Sequence, residues 1–148
     1  IGIGNDILHE HPNASGRVLG EATFRDFLIY VQSITRLENG LFLNAGSAVT
    51  GPEVYLKALA MARNAALQRG KSIVHFTAAV LDIHHMPEEC FRSVPAKTDP
   101  GYYFRPWKTI LVRTVADGGR SFYIKGLHRD TLPSIAKLAI AMEEGKEI

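Results

Sequence analysis

The stretch Gly40-Leu-Phe-Leu-Asn-Ala-Gly-Ser-Ala-Val-Thr-Gly-Pro-Glu-Val-Tyr-Leu-Lys-Ala-Leu-Ala-Met-Ala-Arg-Asn64 constrains the fold more than any other, because it reads as strand, turn and helix in one run. Leu41, Phe42 and Leu43 form a continuous apolar segment, the pattern of a strand covered on both faces. Thr50 and Glu53 stand at capping-box spacing, with Pro52 in the first turn where a missing N–H costs nothing. The helix is expected to reach about Leu67 and stop near Gly70. It is apolar around most of its circumference (Val54, Leu56, Leu59, Met61, Ala62, Ala65, Ala66, Leu67), so it must pack against a sheet.

Between strand and helix, Asn44 to Val49 supplies backbone with small side chains. A turn of this kind leaves N–H groups at a helix N-terminus beyond the carboxyl end of a strand, a ready site for phosphate or a dinucleotide. The alternative is that Gly46 and Ser47 only let the helix sit close to the strand. Neither G-x-G-x-x-G nor G-x-x-x-x-G-K-[ST] is present to decide.

The rest of the chain falls into the same alternation. Ile1 to Ile3 reads as the end of a strand, and the missing initiator methionine leads us to expect the later part of a longer protein. The loop Gly4 to Gly20 carries Asp6, a candidate site carboxylate whose other reading is a loop cap. His9 and His11 lie two apart with no third ligand near, so no metal is assigned. Phe24, Phe27, Leu28, Val31 and Ile34 recur at helical spacing, which predicts an amphipathic helix over Glu21 to Leu37. Ser72 to Thr77 reads as the next buried strand, placing Thr77, Ala78, Ala79 and Asp82 at its carboxyl end. Asp82 suits a ribose or amine there, or simply caps a turn.

Met86 to Tyr103 is irregular and Pro-rich. Beyond it, Thr109 to Arg113 reads as a strand, and Asp117-Gly-Gly119 as a hairpin signal leading to a strand at Ser121 to Ile124. Asp130 or Thr131 is expected to cap a last helix, Leu132 to about Glu144. Trp107-Lys108 is the second candidate site: a lysine beside an indole at a cleft mouth can serve as an imine-forming nucleophile, though a surface lysine at a strand's start has the same spacing. The expected fold is therefore one Rossmann-like α/β domain over residues 1–148, with a mostly parallel sheet, flanking helices and an antiparallel hairpin addition.

Composition excludes several alternatives. A net charge of +2 with scattered basic residues gives no footprint for nucleic acid or a membrane surface. A single cysteine, Cys90, rules out an internal disulfide framework, and no apolar run spans a membrane; a cytoplasmic protein is expected.

In order and along nearly its whole length, the chain resembles the C-terminal half of deoxyhypusine synthase and the bacterial deoxyhypusine synthase-like and homospermidine-forming proteins. Asn44-Ala45-Gly46 stands where that family has a Gly-rich turn, with one glycine kept. His75-Phe-Thr-Ala-Ala-Val-Leu-Asp82 looks like the family strand whose Thr-Ala and Asp contact the dinucleotide. Trp107-Lys108 is similar to its Trp-Gly-Lys, without the glycine. The resemblance implies NAD as cofactor, held by Asp6, Asn44, Ala45, Gly46, Ser47, Thr77, Ala78 and Asp82. It implies Lys108, beside Trp107, as the catalytic lysine of an aminobutyl transferase acting on a polyamine, and a homotetramer with shared sites. The family's histidine after the turn has no counterpart among Thr50 to Glu53, and its polyamine-binding acids are not recognisable in Met86 to Asp99. A non-catalytic binding or assembly protein, or a sugar-phosphate enzyme using the same turn, is the competing expectation.

Overall fold

A computed structural model of the chain describes residues 6–48, 50–86 and 93–145. The expected strand at Ile1 to Ile3, and Cys90, lie outside them. A short 3-10 turn, Asp6–Glu10, precedes helix α1, Gly16–Ile34. The helix starts at Gly16 rather than near Glu21 because Ser15 caps it, its Oγ accepting from Val18 N–H at 3.5 Å. Val31 and Ile34 are buried, while Phe24 and Leu28 at the other end of the stripe stay exposed.

Strand β1, Leu41–Ala45, leads through the small-residue turn into α2, Thr50–Leu67, whose Val54, Tyr55, Ala58, Leu59 and Ala62 form the buried stripe. The next strand, β2, is Thr77–Asp82, several residues later than its apolar pattern implies. The cause is Glu38: its Oε2 accepts from Val74 N–H at 2.6 Å and His75 N–H at 3.1 Å, giving this segment a carboxylate partner instead of a strand neighbour. Thr77 therefore opens the strand instead of closing it.

The largest departure is the segment expected as a strand. Trp107–Arg113 is a π-helix, with Thr114 N–H bonded to Thr109 O at 3.0 Å. Thr-Ile-Leu-Val carries β propensity, yet its residues are buried all round rather than alternately, and β2 and β3 are parallel. Parallel neighbours need a return crossover, and this helix provides it. Asp117-Gly-Gly119 accordingly turns from that helix into β3, Arg120–Lys125, and no antiparallel hairpin forms among the described residues. The last helix, α3, is His128–Glu143; Leu127 precedes it with no side-chain cap, so neither Asp130 nor Thr131 fills that role.

The result is an α/β arrangement: a three-stranded parallel sheet in the order β1-β2-β3, flanked by helices and compatible with a Rossmann-like fold. Phe42, Ala78 and Ser121 share one rung, on the face that meets α2 and the crossover helix: Phe42 stacks on Tyr55 at 3.6 Å and Ser121 Oγ donates to Leu111 O at 2.7 Å. The core lies on that side, from Val31 through Leu59 and Val80 to Ile110. On the other face the flanking strands leave Leu41, Leu43 and Phe122 exposed, contrary to a β1 covered on both sides, while Ala79 and Leu81 of the central strand are buried. No residue of α3 is buried.

Candidate functional site

Chain direction places most of the candidates at one end. β1 and β2 finish at Ala45 and Asp82, and α2 and the crossover helix start the return journeys, so their N-termini share the carboxyl rim with the strand ends. Glu53 and Arg105 join the two starts, with Oε1 and Nη1 2.6 Å apart. Glu53 is thus turned toward Arg105 and does not complete a capping box with Thr50.

The Asn44 to Ser47 turn is held from inside. Asn44, 3% exposed, donates from Nδ2 to Ser47 O at 2.8 Å, and Ser47 Oγ accepts from Gly51 N–H at 2.6 Å, so Ser47 rather than Thr50 caps the helix. Gly46 has φ +65° and lies under His128: a Cβ there would stand 2.5 Å from His128 Cε1. Leu81 O accepts from Gly46 N–H at 3.0 Å and is also 3.1 Å from His128 Nε2. Gly51 has the same packing role, since a Cβ would come 2.2 Å from Asn44 Oδ1. Sequence reasoning missed His128 and Gly51; a glycine in a helix's first turn and a histidine opening the last helix were the available signals.

Asp82 folds back on its own loop, its Oδ1 accepting from Ile83 N–H at 2.7 Å and His84 N–H at 3.2 Å. Tyr123 Oη donates to His84 O at 2.5 Å, and burial, followed by the charge of Asp82, pushes its phenol up to about 12. His84 stacks on Phe104 at 5.0 Å, which ties this loop to the entry of the crossover helix.

Lys108 sits at that entry. It is only 8% exposed, and its Nζ lies 3.7 Å from the centroid of the Tyr102 ring. No described carboxylate is within ion-pair distance. Trp107, also buried, donates from Nε1 to Ser93 O at 3.1 Å and packs so closely on Gly101 that a Cβ there would meet Cζ3 at 2.3 Å. Trp107 and Phe104 therefore cover their own chain, while Tyr103 is exposed.

The expected dinucleotide residues separate. Asn44, Ala45, Gly46, Ser47 and Asp82 share the carboxyl rim; Ala78 is buried one residue in from the amino end and Thr77 lies at that end, roughly 17 Å from Asp82 at ~3.3 Å per residue. The Asp6 side chain is outside the described residues. With His128 over Gly46 and Ser47 occupying a helix N–H, this set does not fit NAD as one cradle.

No helix among the described residues is long and apolar enough to cross a membrane. Comparison with protein-family models, with curated proteins and with solved structures finds no match. Fold and rim together define an α/β protein with a lysine-bearing carboxyl rim.

Proposed function

We propose that this protein binds a small carbonyl compound at the carboxyl rim and holds it as an imine on Lys108. One observation carries the reading: an ammonium almost wholly buried against Tyr102, with no described carboxylate to balance it, at the mouth of a parallel sheet. Burying a charge with no partner among the described residues is costly, and a leucine or methionine would fill the same space without that cost. The neutral amine adds to a carbonyl carbon and water leaves, so amine and carbonyl give imine plus water with no oxidant required. Trp107 and Tyr102 supply apolar walls that limit water at the reacting atoms.

The narrower expectation, NAD-dependent aminobutyl transfer in a deoxyhypusine synthase-like homotetramer, keeps Lys108 in the same role. The separation of Thr77 and Ala78 from the rim weighs against its dinucleotide. A second reading is a non-catalytic binding protein, favoured by the internal satisfaction of the Asn44–Ser47 turn.

The decisive experiment is borohydride trapping with a panel of small aldehydes and ketones, read by peptide mass spectrometry. The proposal expects Lys108 to be modified ahead of the exposed Lys57 and Lys71, and a Lys108→Arg variant to lose that adduct. Equal or slower labelling of Lys108 overturns it. A rise in Tm on adding NAD restores the dinucleotide reading by mass action.

A further inference from the structure

The amino end of the sheet, opposite Lys108, holds a second group of polar side chains that no step of the proposed chemistry uses. Asn39, His75, Thr77, Gly118 and Arg120 line an open cavity of about 290 Å³, close to the ~300 Å³ lower end of small-molecule sites. The backbone donors around it are already engaged: Asn39 N–H to His75 O at 2.6 Å, Thr77 N–H to Gly40 O at 3.0 Å and Arg120 N–H to Phe76 O at 2.9 Å. Recognition there falls to side chains. Those of Asn39, Thr77 and Arg120 have no hydrogen-bond or ion-pair partner among the described residues.

His75 is oriented for the same space. Its Nδ1 is 2.8 Å from Glu38 Oε1, and hydrogen bonds, first from His75 and then from Val74 N–H, hold the Glu38 carboxyl below the usual glutamate range. The carboxylate accepts the Nδ1 hydrogen, which leaves Nε2 turned toward Gly118, where a built Cβ stands 3.5 Å from it. Two unusual turns meet here as well: Asn39 has φ +61°, the one positive φ at a non-glycine among the described residues, and Gly118 has φ +135°.

We infer that this cavity binds a small phosphate-bearing ligand. Arg120 supplies the charge and a forked donor, Thr77 a hydroxyl, Asn39 an amide, and His75 Nε2 accepts a phosphate hydroxyl proton or donates when protonated. Four side chains, from the starts of β2 and β3, the turn at Asn39 and the segment before β2, suit a tetrahedral oxyanion with three or more acceptor oxygens better than a planar carboxylate with two.

Amide NMR of the full chain titrated with inorganic phosphate, and separately with acetate, tests this. The expected result is saturable shifts at Thr77, Gly118 and Arg120 with phosphate, weaker ones with acetate, and binding about tenfold weaker, or ~1.4 kcal/mol, in Arg120→Ala. Thr77→Val serves as the second variant and weakens binding in the same direction. No saturable shift, shifts confined to Ser47 and Gly51 at the other rim, acetate equal to phosphate, or full affinity in both variants overturns the inference. Lys108 trapping is independent of every one of these outcomes.

Discussion

Glu53 Oε1 and Arg105 Nη1 lie 2.6 Å apart and tie the first turn of α2 to the entry of the crossover helix. Both side chains are partly exposed, at 28% and 46%, so the pair is worth little to the fold, roughly 0.2–1 kcal/mol. Its larger effect is positional, because Arg105 is three residues ahead of Lys108 on the same strap. Glu53→Gln is expected to shift the urea midpoint slightly and to slow Lys108 adduct formation by a larger factor. Equal small effects on both readouts would confine the pair to surface electrostatics.

Gly46→Ala combines a left-handed backbone with a collision against His128. A loss of about 1–3 kcal/mol is expected from denaturant melts. His128→Ala removes the collision together with the ring's own contact to Leu81 O, so measured against the His128→Ala background Gly46→Ala costs less, and the cycle shows a coupling energy. Strict additivity would mean that backbone conformation accounts for the whole effect.

Tyr55 is completely buried, stacked on Phe42, and its hydroxyl has no hydrogen-bond partner of good geometry among the described residues. Thr114 is near enough to influence it, but donates its own hydroxyl to Ile110 O at 3.0 Å. Tyr55→Phe removes a desolvated polar group and is expected to stabilise by up to about 1 kcal/mol. Tyr55→Ala leaves a cavity and costs about 3–5 kcal/mol. A destabilised Phe variant, measured by thermal and urea unfolding, would show that the hydroxyl is satisfied in solution.

Glu38 has a folded-state pKa below its unfolded value, chiefly through its hydrogen bond to His75. Its stabilising contribution is present above the unfolded glutamate range, near ~4.3, and is lost as the pH falls through the depressed folded value. Glu38→Gln should therefore flatten the acid limb of stability against pH. An unaltered acid limb would place the sensitivity in other carboxylates. At the alkaline end, burial raises Tyr30 and Tyr123 to about 12, so stability falls as the pH rises from the free-phenol range toward that value. Ultraviolet titration of Tyr30→Phe and Tyr123→Phe checks it.

The sequence displayed α2, the parallel pairing and the general location of the turn, because periodicity and caps are local. It misplaced β2 because the carboxylate of Glu38, from a distant part of the chain, takes the N–H groups of Val74 and His75. It read Trp107 to Arg113 as partly a strand because burial on all sides erases the alternation that separates strand from helix. At the site, Lys108 and the Asn44–Ser47 turn were legible from residue type and order. His128 and Gly51 were not, since each matters through a contact made only when distant segments close on one another.

The crossover helix is wound with a wider turn than an ordinary helix, and such turns hold one more residue than the span requires. A chain usually keeps spare length in its loops. Here the slack is stored in the interior, between two strands whose register is fixed from Thr77 with Arg120 to Asp82 with Lys125. Loss of one residue from Trp107–Arg113 could be absorbed by rewinding, with β3 still in place, but the rewinding would turn Lys108 away from Tyr102. Strand pairing and lysine placement are thus separable properties of this seven-residue segment.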